Sequence, residues 1–244
     1  MTRLLNDKNA IIYGAGGGIG REVARTFARE GANVFLVGRT RTTLEESARG
    51  VEAAGGTANV AVVDALDADA VQAHVRQVVD EAGSLDVSFN LVRRGDVQGT
   101  PLLDMSADDF MAPITTGSRA NFITAQAAGR QMVSQGSGVI MMLTSGSGTV
   151  QRPSPDFNMG GTGPADSTTE TFMRYLAAEV GPSRVRVLGL WTAGVFYPEL
   201  MANLSMLGKG PTVEQTAEAA AFLASDRASG TTNTIFNASS GVCA

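Results

Sequence analysis

Residues 9–20 read Asn9-Ala10-Ile11-Ile12-Tyr13-Gly14-Ala15-Gly16-Gly17-Gly18-Ile19-Gly20, a short apolar run that stops at a string of glycines. Such a run is that of a buried strand. Ile19, Val23, Ala24, Phe27 and Ala28 then recur at helical spacing until Gly31 stops the pattern. Strand, glycine turn and helix in that order make a phosphate cradle. A side chain in the turn would block a pyrophosphate, whereas bare glycines let it reach free N–H groups at a helix N-terminus, where the helix dipole favours anions. Gly14, Gly17, Gly18, Ile19 and Gly20 are therefore the candidate phosphate contacts of a dinucleotide. A glycine-rich turn with no ligand is the plain alternative.

The same unit repeats outward. Strands are expected at 33–37, 58–63, 85–90, 138–143, 185–190 and 234–236. Helices are expected at 42–54, 67–82 with Asp67 as N-cap, 106–134, 163–180 and 213–225. Alternation with short connections specifies an α/β fold: a doubly wound, Rossmann-type parallel sheet of about seven strands with helices on both faces. No linker divides the chain, so residues 1–244 are expected to form a single domain. The long non-strand insertion, about 193–212, reads as a flap over the ligand edge or as an ordinary surface loop.

Composition narrows the class. The chain has 244 residues, 43% hydrophobic and 18% charged, which excludes wholesale disorder. A net charge of -5 argues against a nucleic-acid partner. No apolar run reaches the roughly 18 residues of a membrane helix. The polar N-terminus does not read as a signal peptide, and the single cysteine, Cys243, fits a reducing cytoplasm. His74 is the single histidine, which excludes mechanisms that need two; its helix reads as polar and the ring as solvated.

The second strand ends Val37-Gly38-Arg39-Thr40. A carboxylate there would grip the ribose of NAD. Arg39 instead offers a fork to a 2'-phosphate, so NADP(H) is the expected cofactor, with a solvated strand-end charge as the alternative. Asp64 either accepts from the adenine amino group or leads the next helix. Ala65 and Asn90, at the ends of the third and fourth strands, complete the cofactor set.

The glycine turn, Val37-Gly38-Arg39, Val63-Asp64, Leu85-Asp86-Val87, Leu176-Ala177-Ala178-Glu179 and Val185-Arg186-Val187 resemble, in order, landmarks of the short-chain dehydrogenase/reductases. The resemblance implies a seven-stranded sheet, an NAD(P) site, and a homo-dimer or homo-tetramer assembled through the helices near 107–135 and 163–180. It also implies a Tyr that exchanges the proton, a Lys four residues later that lowers the phenol's pKa, a Ser that orients substrate, and an Asn on the preceding helix. Counting back from Leu176 puts Thr162 at the Tyr position and Asp166 at the Lys position. A gapped register gives Asn158 and Thr162 instead. The chain has only two lysines, Lys8 and Lys209, and three tyrosines, Tyr13, Tyr175 and Tyr197, none of which restores the pair. The Asn position falls near Gly117, while Ser145 stands at the Ser position.

Ser145, Thr162 and Asp166 are thus the candidate catalytic residues of an oxidoreductase with an atypical proton route. A carboxylate at 166 would raise, not lower, a neighbour's pKa. Two other readings stay open. One is a non-redox dehydratase, cyclase or isomerase, with Asp166 as general base and Arg93 or Arg94 on an acidic substrate group. The other is a non-catalytic NADPH-binding subunit. The simpler readings make Ser145 a turn residue, Asp166 a first-turn helix acid and Arg93-Arg94 a solvated pair. Trp191, Phe196 and Tyr197 read as walls of an apolar pocket for a mid-sized, partly apolar substrate, and Met201 and Met206 as flap packing.

Overall fold

A computed structural model describes residues 3–145 and 158–242; Cys243 lies outside them. Seven strands form one parallel sheet: β1 (Asn9–Tyr13), β2 (Asn33–Gly38), β3 (Ala58–Val62), β4 (Val87–Asn90), β5 (Gly138–Thr144), β6 (Val185–Trp191) and β7 (Thr234–Asn237). Their order is β3-β2-β1-β4-β5-β6-β7. Seven helices accompany them: α1 (Gly18–Arg29), α2 (Arg41–Ala53), α3 (Ala68–Ala82), α4 (Ala107–Gln135), α5 (Thr162–Val180), the short α6 (Pro198–Ala202) and α7 (Val213–Ala224).

Strand alternation feeds two cores. Ala10, Ile12, Val34 and Leu36 pack with α1, α2 and α7, while Ile11, Tyr13, Phe35 and Val37 pack with α3, α4 and α5. Burial on both faces explains why these strands read as continuous apolar runs. The chain crosses from β3 at one edge to β4 beside β1, so the order reverses between β1 and β4. That reversal opens a crevice at the carboxyl ends of these two strands, where ligands of such sheets bind.

The expected elements all form, with ends shifted by one or two residues. Asp67 caps α3 as expected, its side chain accepting from the Ala70 N–H. Two side chains depart from their expected settings. His74 is not solvated: it is 5% exposed, on the α3 stripe with Val71, Val75 and Val78. Trp191 is not a pocket wall: it ends β6 paired with Thr144 and is 1% exposed. In the insertion, α6 interrupts the loop. Met201 packs with Ala193 and Val242, while Met206 is exposed. Among the described residues, no helix is long and apolar enough to cross a membrane.

Candidate active site

The nucleotide half is built from backbone. The N–H groups of Gly14 and Ala15 both donate to the Val37 carbonyl, at 2.8 and 3.2 Å, which folds the turn back over β2. Gly14 has φ +77°, and a Cβ there would lie 2.5 Å from the Leu91 carbonyl oxygen just past β4. Only glycine suits that backbone and that approach. Gly17 caps α1 with no side-chain bond, and the first turn of α1 carries no acid. The N–H groups of Gly18, Ile19 and Gly20 are therefore left for an external acceptor. A Cβ on Gly18 would come within 2.8 Å of the Phe196 ring, so this aromatic of the insertion lies over the turn.

At the end of β2, Arg39 and Thr40 are exposed, and Arg39 makes no ion pair among the described residues. Thr40 caps α2 without a side-chain bond, and the first turn of α2 has no acid. Asp64 is exposed and accepts from the Leu66 N–H at 3.0 Å; the cap of α3 is Asp67, so Asp64 does not lead that helix. Ala65 is buried beside it. Asn90 is buried, donates to Asn121 Oδ1 at 2.7 Å and accepts from the Val92 N–H at 3.0 Å.

The other half is built from side-chain charge. A cavity of about 640 Å³ opens at the carboxyl ends of β4, β5 and β6, with Asn90, Arg94, Ser145, Met159, Phe196 and Leu200 among its walls. At its polar end stands a connected cluster. Asp166, 0% exposed, pairs with Arg94 Nη1 at 2.5 Å. Its other oxygen accepts from the Ser145 backbone N–H at 3.0 Å and from Ser145 Oγ at 2.7 Å. Arg94 turns its remaining edge to Asp96, with Nη2 at 2.9 Å and Nε at 3.3 Å. Asp96 Oδ1 in turn accepts from Thr162 Oγ1 at 2.9 Å, and Gln98 Nε2 donates to Thr162 at 3.2 Å. Burial works against the guanidinium's charge, but Asp166 and Asp96 outweigh it and hold its pKa above the ordinary arginine value.

The three candidate catalytic residues are thus joined in one network through two residues that the sequence did not assign to them. Asp166 is not a first-turn helix acid and Arg94 is not a solvated charge, while Ser145 is tied to Asp166 by both its N–H and its hydroxyl. Arg93 is exposed and lines the same cavity. Gly117 explains how Arg94 enters: a Cβ there would lie 2.7 Å from Arg94 Cδ. Of the tyrosines, Tyr13 is buried with an unpartnered hydroxyl, and burial pushes its phenol pKa up. Tyr175 is exposed on α5, and Tyr197 lines the cavity from the insertion. Lys8 pairs with Asp226 at 3.3 Å, and Lys209 is exposed.

The architecture has close relatives. A family model described as enoyl-(acyl carrier protein) reductase matches residues 14–243. The chain belongs to the short-chain dehydrogenase/reductase family. It is 30% identical over 237 residues to gluconate 5-dehydrogenase of Gluconobacter oxydans, covering 91% of this chain and 89% of that protein. It is 29% identical to a 3-oxoacyl-[acyl-carrier-protein] reductase of Chlamydia muridarum, covering 99% of this chain and all (100%) of that one. A short-chain type dehydrogenase/reductase from Mycobacterium marinum superposes with a TM-score of 0.88 at 27% identity, covering 99% and 97% of the two chains. Membership places the chain in a family of oxidoreductases.

Proposed function

We propose that the chain is an NADP(H)-dependent oxidoreductase that acts on a mid-sized, partly apolar molecule without the family's Tyr–Lys proton relay. The observation that carries the cofactor reading is Arg39. It is exposed, free of any ion pair among the described residues, and adjacent to the unoccupied cap of α2. A 2'-phosphate placed there would meet a guanidinium fork and free helix N–H groups together. The cradle fits the rest of the dinucleotide: Gly14 and the uncapped first turn of α1 would hold the pyrophosphate, and Asp64 and Asn90 would flank the adenosine and ribose. Bound there, the reduced cofactor supplies a hydride to substrate in the cavity.

What this chain's own groups contribute follows from their partners. Thr162 and Asp166 stand where the family's Tyr and Lys are expected. A threonine hydroxyl holds its proton too tightly to replace an activated phenol, and a positioned acid is worth about 10²–10⁴-fold. Substrates that need little acid help, such as activated enones, quinones or iminium ions, suit the site better than simple ketones. The non-redox reading needs Asp166 as an accessible base, and its full burial against Arg94 and Ser145 weighs against that. The small-molecule site is further proposed to work within a homo-dimer or homo-tetramer in the cytoplasm. The exposure of two aromatics, Phe122 on α4 and Tyr175 on α5, supports this reading.

Titration with NADPH and NADH, followed by nicotinamide fluorescence, tests the reading. NADPH is expected to bind about tenfold or more tightly, as a charge-assisted contact of roughly 1.5–3 kcal/mol requires. Equal affinities would overturn the role of Arg39. Binding of neither would overturn the function, and NADPH binding with no turnover of any activated acceptor would leave the non-catalytic subunit.

A further inference from the structure

Charge along the cavity wall narrows the substrate class, an inference that rests on the oxidoreductase reading above. Three charged side chains line the cavity: Arg93, Arg94 and Asp96. Asp166 is not among them and lies behind Arg94, its side chain 0% exposed. Asp96 is committed. Its Oδ1 accepts from Arg94 Nη2 and from Thr162 Oγ1, both at 2.9 Å, and its Oδ2 from Arg94 Nε at 3.3 Å. Arg94 is likewise held from two sides, by Asp96 and Asp166. Arg93 is the remainder. It is exposed and makes no ion pair or side-chain hydrogen bond among the described residues.

The supply of hydrogen bonds leans the same way. A guanidinium carries five N–H donors and no acceptor. Arg94 directs three of its own at Asp96 and Asp166, and those of Arg93 are all unspent among the described residues. This end of the cavity therefore has donors to spare and one unanswered positive charge. The other walls include Ile19, Leu143, Met159, Val195, Phe196 and Leu200, which are apolar. The dinucleotide has donors elsewhere for its phosphates, at the uncapped first turn of α1 and at Arg39, so it does not require Arg93.

We propose that the substrate is a carboxylic acid with an apolar body, its carboxylate received by the Arg93 guanidinium and its body laid against Phe196 and Leu200. A guanidinium fork matches the two oxygens of a carboxylate, and one unpaired cation matches one negative charge. A phosphate monoester, at about −1.5 to −2, would keep part of its charge unanswered. The carboxylate takes no part in the bond changes. It is a handle, whose binding energy holds the reacting carbon in place within the cavity.

A ligand-observed NMR titration without cofactor tests the claim, with phenylpropionate against its uncharged isostere phenylpropanamide. The carboxylate is expected to bind about tenfold more tightly, and Arg93→Met is expected to erase the difference. Equal affinities, tighter binding of the amide, or no binding of the carboxylate by the unmodified protein would overturn the proposal, whether or not the variant folds. A preference kept in Arg93→Met would overturn the assigned residue. So would a tenfold loss of NADPH affinity in that variant, which would give Arg93 to the dinucleotide. Acetate keeps the charge without the body and is expected to bind about tenfold or more weakly than phenylpropionate; equal affinity would overturn the apolar part. Failure of the unmodified protein to bind NADPH would instead sink the oxidoreductase reading, because the carboxylate measurement does not depend on it.

Discussion

The two halves of the site are made of different material. At the glycine turn, specificity is backbone shape: Gly14 with φ +77°, an uncapped α1, and a carbonyl from the β4 loop close enough to forbid a side chain. At the Arg94 cluster, specificity is charge carried on side chains from three places, the β4 loop, the end of β5 and α5. Shape of the first kind is local and depends on few partners. The second kind fails as a unit, because removing one charge strands another.

Arg94→Met should therefore have the largest effect. It leaves Asp166 buried without a counter-charge, and breaking a buried pair in this way costs about 3–5 kcal/mol. The measurement is thermal or denaturant unfolding. Adding Asp166→Leu to the same chain should recover most of the loss, since replacing a buried pair by apolar groups is often neutral. A single variant as stable as the parent, or a double variant no better than the single, would show that the two charges are not a unit.

Gly14→Ala tests the other half. The left-handed backbone costs a side chain roughly 1–2 kcal/mol, and the contact with the Leu91 carbonyl adds an overpacking cost of about 1–3 kcal/mol. Both stability and NADPH affinity should fall together, because the same backbone serves both. An alanine variant with unchanged melting and unchanged affinity would remove the claim that shape governs this half.

The same contrast governs what the sequence discloses. The glycine turn is legible because its demands are local: strand, glycines and helix follow one another within twenty residues. The sheet is legible because strands buried on both faces spell out apolar runs. The Arg94 cluster is not, since Arg94 meets Asp166 72 positions away, and the space it enters is made by an unremarkable glycine, Gly117, inside α4. Gly117, Asp96 and Asp166 are each visible in the chain; that Arg94 passes the first to pair with the other two is visible only in space. His74 was legible and misread. It falls between Val71 and Val78 on the apolar stripe of α3, three residues from one and four from the other, a spacing that buries it. Trp191 closes an apolar strand run and belonged to it.

Arg39→Ala should separate binding from stability. The side chain is exposed and makes no ion pair among the described residues, so unfolding free energy should move by no more than about 0.5 kcal/mol. NADPH affinity should fall by about tenfold to a hundredfold, while NADH affinity should hold. Equal losses for both dinucleotides would place Arg39 away from the 2'-phosphate and weaken the contrast between the halves.

The smallest expected effect concerns a buried ionisable group outside either half. Every charge in the Arg94 cluster has a partner, whereas His74 Nδ1 has none among the described residues. Burial lowers the imidazole pKa from its ordinary 6.5, with a weaker opposing pull from Glu81. The unfolded chain therefore takes up the proton first as pH falls, and it binds more protons than the folded chain below about 6.5. Stability contributed by the neutral ring is complete above that value and is lost as pH drops through it toward the lower folded-state pKa. Unfolding free energies measured across that window should decline with acid in the parent, and the decline should flatten in His74→Leu, which fills the same apolar stripe. An equal slope in both would show that burial of the His74 ring is not the source of the acid sensitivity.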